Sequence, residues 1–222
     1  MLLPTSTVGR KIMMAVTGQF LVFFIVFHIA GNSSIFFHAL NAYVVALHAL
    51  PVVVWGGRLA IIAAFALHIW YGTVLKLENY AAKPQTYAIT NFRNATFAGR
   101  YQIWTGAVIA AFLIYHLLQF TFRVTDPSIS ADTHLDALGR EDVFMMVVRS
   151  FQKIGISGVY GVSLAALGLH LLHGIQSSFQ TWGMTNDRTL RVIEKSGMVA
   201  SVILFLWYIA IPVAVIAGIL KS

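Results

Sequence analysis

Residues 156–178 read ISGVYGVSLAALGLHLLHGIQSS, a run without a single charged side chain. An α-helix rises ~1.5 Å per residue, so about twenty apolar residues cross the ~30 Å hydrocarbon core of a bilayer. The segment is therefore predicted to be a transmembrane helix. His170 lies inside it, and a polar imidazole is costly at that depth unless something binds it.

The composition of the whole chain agrees with a membrane protein. Its 222 residues are 58% hydrophobic and only 10% charged, whereas soluble domains are roughly half apolar and about one-quarter charged. Four further apolar runs are long enough to span a bilayer, and no linker rich in proline, glycine or serine divides the chain. The sequence predicts an all-α integral membrane bundle of five transmembrane helices, in one domain covering residues 1–222. The predicted spans are about 12–30, 56–75, 102–122, 156–178 and 197–220.

Two connections are long enough to carry structure of their own. No charged residue lies between Lys11 and Arg58, a length that exceeds one span but is too short for two spans and a turn. The surplus, residues 32–51, is expected to lie in the membrane interface. The connection 123–155 is expected to hold a short amphipathic helix near residues 143–151.

The distribution of basic residues predicts the orientation. Cytoplasmic loops carry an excess of lysine and arginine, so the N-terminus is expected in the cytoplasm and the C-terminus outside. The net charge of +7 suits anionic lipid headgroups and an acidic partner surface, and it needs no nucleic acid to explain it. The expected inner side has Arg10, Lys11, Lys76, Lys83, Arg93, Arg100, Arg188, Arg191 and Lys195, and the outer side has Arg58, Arg123, Arg140, Arg149, Lys153 and Lys221.

The absence of cysteine limits the redox chemistry of the chain. It can form neither a disulfide nor an iron–sulfur cluster, and it lacks the C-x-x-C-H signature of covalent haem attachment. Any haem must be held non-covalently. Arg10 and Lys11 before an apolar run could mimic a signal peptide, but no A-x-A cleavage signature follows, so the first helix is expected to be retained.

Four histidines fall inside four different predicted spans. From the rise of an α-helix, His28 and His116 lie ~23 Å from the inner face, whereas His68 and His170 lie ~12 Å from it. Two pairs at two depths are what two stacked six-coordinate haems require. The alternative is that they are ordinary bundle histidines, hydrogen-bonded across helices. His173 lies one turn from His170, and depth alone does not choose between the two.

The fourth span and its continuation resemble a known haem motif. They contain His170-Leu-Leu-His173-Gly174, then Ser177, Gln180-Thr181 and Trp182-Gly183. With the supporting segments, the chain resembles over nearly its whole length the five-helix, di-haem cytochrome b membrane subunit of succinate dehydrogenases and fumarate reductases. The supporting segments are Gly9-Arg10-Lys11 with Thr17-Gly18 before His28, Asn41-Ala42-Tyr43 before His48, Arg58 before His68, and Ala95-Thr96 through Arg100 to Trp104-Thr105-Gly106 before His116.

The resemblance implies a function and a ligand set. It favours His170 over His173, with His68 and His170 on a proximal haem b and His28 and His116 on a distal one. It implies a subunit in the cytoplasmic membrane that anchors a flavoprotein subunit and an iron–sulfur subunit at the cytoplasmic face. The implied role is to pass electrons between that iron–sulfur subunit and a membrane quinone, with menaquinone preferred.

Further residues are candidates for contacts with the cofactors. Basic or polar side chains near the inner helix ends are candidates for the haem propionates, although topology and interfacial anchoring explain them more plainly. Polar residues of the outer segment are candidates for a quinone site, with an amphipathic interfacial helix as the alternative; a second crevice near Arg100 and Trp104 is also considered. His134, in an outer loop, is expected to be solvated. The propionate candidates are Arg10, Lys11, Arg100, Trp104 and Lys195, and the quinone candidates are His38, Asn41, Tyr43, His48 and Arg58.

The predicted spans contain no aspartate or glutamate. Some relatives carry an acid just before the fourth-helix ligand, where this chain has Gly168 and Leu169. We therefore expect no carboxylate relay to compensate charge movement through the haems. Two other functions stay open from the sequence: another quinone-reactive di-haem cytochrome b, of the nitrate reductase or hydrogenase type, and a haem-free transporter or channel whose histidines line an ion path.

Overall fold

The computed structural model of the chain describes residues 5–82 and 96–221. The expectations for Lys83, Arg93 and Ala95 lie outside these residues. In the described ranges the chain is helical, and its only β contact is an isolated bridge between Leu135 and Glu141. The helices are α1 (Thr7–Asn32), α2 (Leu40–His48), α3 (Pro51–Ala81), α4 (Phe97–Arg100), α5 (Gln102–His116), α6 (Val143–Gln152), α7 (Ile154–Thr181) and α8 (Thr189–Ile216).

Five of these helices are long and apolar enough to cross a membrane, as the sequence predicts. They are α1, α3, α5, α7 and α8, with α1 prolonged by a 3₁₀ turn at Ser33–Phe37 and α5 by a π-helical turn at Leu117–Thr121. Their outward surfaces carry large apolar side chains: Phe27 is 72% exposed and Trp70 is 65% exposed. Such a surface is costly in water and suits a lipid environment.

The ends of two helices differ from the predicted spans. α3 begins at Pro51 rather than near residue 56, because proline at the first helical position loses no hydrogen bond. α8 begins at Thr189, well before the predicted residue 197, and it ends at Ile216, before a glycine, Gly218, with φ of 70°. Hydropathy detects the apolar part of a helix, so it does not detect the polar start of α8; residues 51–55 at the start of α3 are apolar.

The two long connections fold without forming a span. Residues 32–51 form the 3₁₀ turn and α2, and the chain reverses at His38, which has the left-handed φ of 53°. The amphipathic helix expected near 143–151 is present as α6, whose N-cap Asp142 accepts a hydrogen bond from the Met145 amide at 2.9 Å. α6 buries Met145, Met146, Val148, Ser150 and Phe151.

A polar clasp joins α2 to the connection between α5 and α7. The buried amide of Asn41 donates to Asp136 at 3.2 Å and to Asp142 at 3.1 Å, and its oxygen accepts from the Phe144 amide at 2.8 Å. Asp136 in turn binds Arg140 at 2.7 Å. Every polar group of this amide is therefore used for structure.

The helices alternate in direction, so the bundle has two ends. At the N-terminal end α1, α5 and α8 begin and α3 and α7 finish; the clasp and α6 lie at the opposite end. Contacts between helices fix this arrangement: Gln19 of α1 donates to Ser178 of α7 at 2.6 Å near the N-terminal end. Trp207 of α8 donates to Ser33 at 2.7 Å near the opposite end.

Candidate functional site

The four span histidines form two facing pairs, the same pairs that helix depth predicts. The ring centroids of His68 (α3) and His170 (α7) lie 6.2 Å apart, with an interplanar angle of 68°. Those of His28 (α1) and His116 (α5) lie 5.9 Å apart at 69°. We call them the His68 pair and the His28 pair; the His28 pair lies nearer the opposite end of the bundle.

In the His68 pair, each Nδ1 atom faces an acceptor on a neighbouring helix. Nδ1 of His68 lies 3.2 Å from the carbonyl oxygen of Met14, which can only accept, so this nitrogen carries the proton. Nδ1 of His170 lies 3.1 Å from the hydroxyl of Thr105. That hydroxyl donates its own proton to the carbonyl of Gln102 at 3.0 Å, so it accepts from His170.

In the His28 pair, tyrosine hydroxyls take the same role. Nδ1 of His28 lies 3.2 Å from the hydroxyl of Tyr208, which donates to the carbonyl of Ile25 at 2.7 Å. Nδ1 of His116 lies 3.0 Å from the hydroxyl of Tyr160, and this hydroxyl has an acceptor of its own in a side-chain amide. Both tyrosines therefore accept the Nδ1 proton of a histidine.

The tautomer with the proton on Nδ1 and a lone pair on Nε2 is fixed for His68 by the Met14 carbonyl, and the hydroxyl partners of the other three imidazoles are compatible with it. No hydrogen bond joins the two rings of either pair among the described residues, so the Nε2 atoms are not used between histidines. One side chain comes near both ring nitrogens of His28: Nδ2 of Asn32 lies 3.1 Å from Nδ1 and 3.3 Å from Nε2, while it also donates to the His28 carbonyl at 2.9 Å. A hydrogen-bonded Nδ1 opposite a lone pair on Nε2 is the usual arrangement of a metal-binding histidine.

The spacing of the rings fits a metal ion between them. Imidazole–metal bonds are about 2 Å long, and a ring centroid lies roughly 1 Å behind its nitrogen, so ligands on opposite sides of one ion have centroids about 6 Å apart. Both measured separations have this value. Each pair offers two protein ligands, the number that a six-coordinate porphyrin-bound iron takes from a protein.

Two glycines let the His68 pair lie close to neighbouring helices. A Cβ atom at Gly18 of α1 would lie 3.0 Å from Cε1 of His68, and one at Gly106 of α5 would lie 3.4 Å from Cε1 of His170. A Cβ atom at Gly18 would push against the His68 ring, whereas one at Gly106 would be in ordinary van der Waals contact with the His170 ring. These helices therefore both support and confine the pair.

His173 does not join the pairs. It lines a polar cavity of about 400 Å³ at the N-terminal end of the bundle, one turn beyond His170. Among the described residues, the cavity is lined by two cationic side chains, Lys76 and Arg100, and by no carboxylate. The cavity is suited to an anionic group. Its lining is completed by Thr96, Gly99, Gln176 and Gln180.

Of the five propionate candidates, Arg100 alone lines this cavity. Arg10 pairs with Glu78 of α3, and this glutamate lies in the helical end beyond the predicted span. Trp104 points outward with 67% exposure, and Lys11 and Lys195 are also exposed. Lys76 and Gln176 could not be assigned to this site from the sequence, because their place beside Arg100 follows only from the tertiary arrangement of α3, α4 and α7.

The quinone candidates lie together at the opposite end but do not line a described cavity. Asn41 is engaged in the clasp described above. His38 lies on the ring of Phe144 at 5.1 Å, and Arg58 lies over the ring of Trp55 at 4.9 Å. Tyr43 packs against Gly31, and His48 is exposed.

Sequence reasoning missed the two tyrosines that orient the His28 pair. A tyrosine inside an apolar span carries one polar group that needs a partner, which is a weak signal for Tyr160 and Tyr208. The resemblance had included Thr105 and Gly106 only as parts of a motif.

The architecture and the histidine pairs define a five-helix membrane protein with two candidate metal-binding sites. Comparisons with protein families, with curated proteins and with solved structures found no match for this chain.

Proposed function

We propose that this chain is the di-haem cytochrome b membrane subunit of a succinate:quinone oxidoreductase. The observation that carries the haem assignment is the pairing of four imidazoles, about 6 Å apart within each pair, with every Nδ1 proton held by a neighbouring helix. The assignment to succinate and quinone chemistry rests on the sequence motifs around these histidines.

Each pair would hold one haem b through its two Nε2 atoms. His68 and His170 would bind the iron of the proximal haem, and His28 and His116 that of the distal haem. Bound haem supplies a one-electron couple between ferric and ferrous iron. Because each iron would take two imidazoles from the protein, no coordination site would remain for a substrate, and the pairs would be suited to electron transfer alone.

The cavity beside the His68 pair supports this assignment. His173 lies about one turn beyond His170 on a neighbouring face of α7, so the cavity that His173 lines is one turn from the His68 pair. Lys76 and Arg100 bring positive charge to this cavity, which suits the carboxylates of haem propionates. We therefore assign the propionates of the proximal haem to this cavity, with Arg100 and Lys76 as their partners. Arg10, Lys11, Trp104 and Lys195 do not line it and stay predictions from the sequence.

The proposal places the N-terminal end of the bundle in the cytoplasm, against the iron–sulfur and flavoprotein subunits. The support is the excess of lysine and arginine at that end. A membrane quinone, with menaquinone preferred, would react near the distal haem at the opposite end, where His38, Tyr43, His48 and Arg58 lie. The chain would then carry electrons across most of the membrane.

Purification of the intact membrane complex tests the proposal. We expect two haems b per chain in a reduced-minus-oxidised spectrum, together with a flavoprotein, an iron–sulfur subunit and succinate:quinone activity. A preparation without haem would overturn the haem assignment and favour a transporter or channel. Two haems with the subunits of a nitrate reductase or hydrogenase would retain the pairs and overturn the succinate assignment.

A further inference from the structure

The two tyrosines beside the His28 pair differ in what receives their protons. The Tyr208 hydroxyl donates to the backbone carbonyl of Ile25 at 2.7 Å. The Tyr160 hydroxyl donates to the side-chain oxygen of Gln119 at 3.0 Å. A backbone carbonyl can only accept, whereas a side-chain amide presents either an acceptor oxygen or a donor NH₂ group, depending on its rotation.

Gln119 owes its position to an irregular turn. α5 ends at His116, and the next residues form a π-helical turn, Leu117–Thr121, closed by a 2.8 Å hydrogen bond from the Phe122 amide to the Leu117 carbonyl. Gln119 is the buried residue of this turn, at 5% exposure. π-helical turns are rare and are often found at functional sites.

Because Tyr160 is buried between Gln119 and His116, the rotation of the Gln119 amide affects the hydrogen bond that Tyr160 makes with His116. Tyr160 is itself only 6% exposed, and a buried hydroxyl at this place has few partners other than His116 and Gln119. With the Gln119 oxygen facing it, the phenol gives its proton to the amide and accepts the Nδ1 proton of His116. With the NH₂ group facing it, the phenol would instead donate to Nδ1, and the imidazole proton would move to Nε2, where it blocks metal binding.

We propose that Gln119 is a positioning residue that selects, through Tyr160, the metal-binding tautomer and the orientation of His116. This inference rests on the proposed function, because it concerns the haem of the His28 pair. The described surroundings of the His68 pair contain no side-chain amide in this role. Nδ1 of His68 faces the Met14 carbonyl, and Nδ1 of His170 faces a threonine hydroxyl that donates to the Gln102 carbonyl. The effect of Gln119 is therefore confined to one of the two sites.

The test uses the intact complex and four variants: Gln119→Leu, Tyr160→Phe, the double variant, and Tyr208→Phe. Redox titration and the low-spin ferric EPR signals report each haem separately. We expect Q119L and Y160F each to change the oxidised-to-reduced ratio of the distal haem at a fixed poise by about 2- to 10-fold, the effect of one hydrogen bond. The proximal haem should stay unchanged.

The double variant decides whether Gln119 acts through Tyr160. Residues of one hydrogen-bond chain are not additive, so the double variant should match Y160F alone. The effect of Y208F should add to that of Q119L, because the two lie on different histidines. Where Q119L does not assemble, Gln119→Met, which is closer in shape, takes its place in the comparison.

Additive effects of Gln119 and Tyr160, or equal shifts in both haems, would overturn the inference. An unchanged distal haem in Q119L would also overturn it, while leaving the proposed function intact. Absence of haem from the unmodified complex would instead contradict the proposed function itself.

Discussion

The imidazole rings of His68 and His170 face each other from α3 and α7 with their centroids 6.2 Å apart and their planes at 68°. The His28 pair repeats this geometry on α1 and α5, at 5.9 Å and 69°. Each pair is supported by two helices that do not contribute its histidines. The two sites are therefore similar in geometry but can be altered independently.

Replacing His170 should abolish one site, whereas replacing His173 should not. In His170→Ala the proximal haem loses an axial ligand, so we expect the haem content to fall from two to one per chain, with one spectral component lost. His173→Ala removes an imidazole of the same helix that faces the cavity, and both haems should remain. Loss of the same component in both variants would contradict the assignment of His170 over His173.

The close contact at Gly18 gives a second prediction. In Gly18→Ala the new methyl group would lie 3.0 Å from Cε1 of His68, so the ring must move by a few tenths of an ångström. We expect a changed EPR signal or partial loss of the proximal haem, and no change in the distal one. Gly56→Ala is the matched control, because a Cβ there meets nothing within 4 Å. Equal behaviour of the two alanine variants would show that the contact has no effect.

The clasp predicts a loss of stability when Asn41 is replaced. Asn41→Ala removes three hydrogen bonds between α2 and the connection at the opposite end. Leaving a buried polar group without a partner costs about 1–3 kcal/mol, so the free energy of unfolding should fall by about that amount. Thermal unfolding in detergent measures it.

The same variant separates structure from quinone chemistry. If Asn41 bound the quinone headgroup, the variant would lose quinone reduction at unchanged stability. We expect the opposite result: the melting temperature should fall, and quinone reduction by the folded fraction should persist.

The opposite end should loosen in acid. The hydrogen bond from Arg140 holds the pKa of Asp136 well below its ordinary value of 3.8, and the Lys153 ammonium lowers the pKa of Asp126. A carboxylate with a depressed folded-state pKa stabilises the fold above its unfolded-state pKa, and this contribution is lost as the pH falls through the folded value. The clasp should therefore be intact above about pH 4 and weaken below it.

Limited proteolysis of the connection between α5 and α6, followed from pH 7 to pH 3 with an acid-stable protease, measures this loosening. Asp136→Asn should give faster cleavage already at pH 7 and a flatter dependence on pH. Asp187→Asn, an exposed position at the N-terminal end, serves as the control and should follow the unmodified protein. Cleavage of the unmodified protein that does not change with pH would contradict the expectation.

The number of long helices and the pairing of the histidines could be predicted because both follow from helix geometry. Hydrophobic runs mark the spans, and the rise per residue gives the depth of His28, His68, His116 and His170. The ends of α3 and α8 could not be predicted in this way, since their polar residues continue the helix beyond the apolar run.

The hydrogen-bond partners of the imidazoles could not be predicted from the sequence. The groups that face the Nδ1 atoms belong to neighbouring helices, as Tyr208 does for His28. A side chain that projects from a helix meets the facing helix first. The role of Asn41 could not be predicted either. The sequence indicates only a polar interfacial residue, because its partners Asp136 and Asp142 are far away in sequence.

Each histidine pair depends on residues of other helices, so the order in which the helices are synthesised affects when each site is complete. α8 is synthesised after the other four long helices, yet its Tyr208 completes the surroundings of His28 on the earliest of them. α7 provides His170 for one pair and Tyr160 for the other. A nascent chain that has delivered only its first three long helices to the bilayer therefore has neither site finished, and on the proposed function we expect haem insertion to follow the arrival of the remaining two.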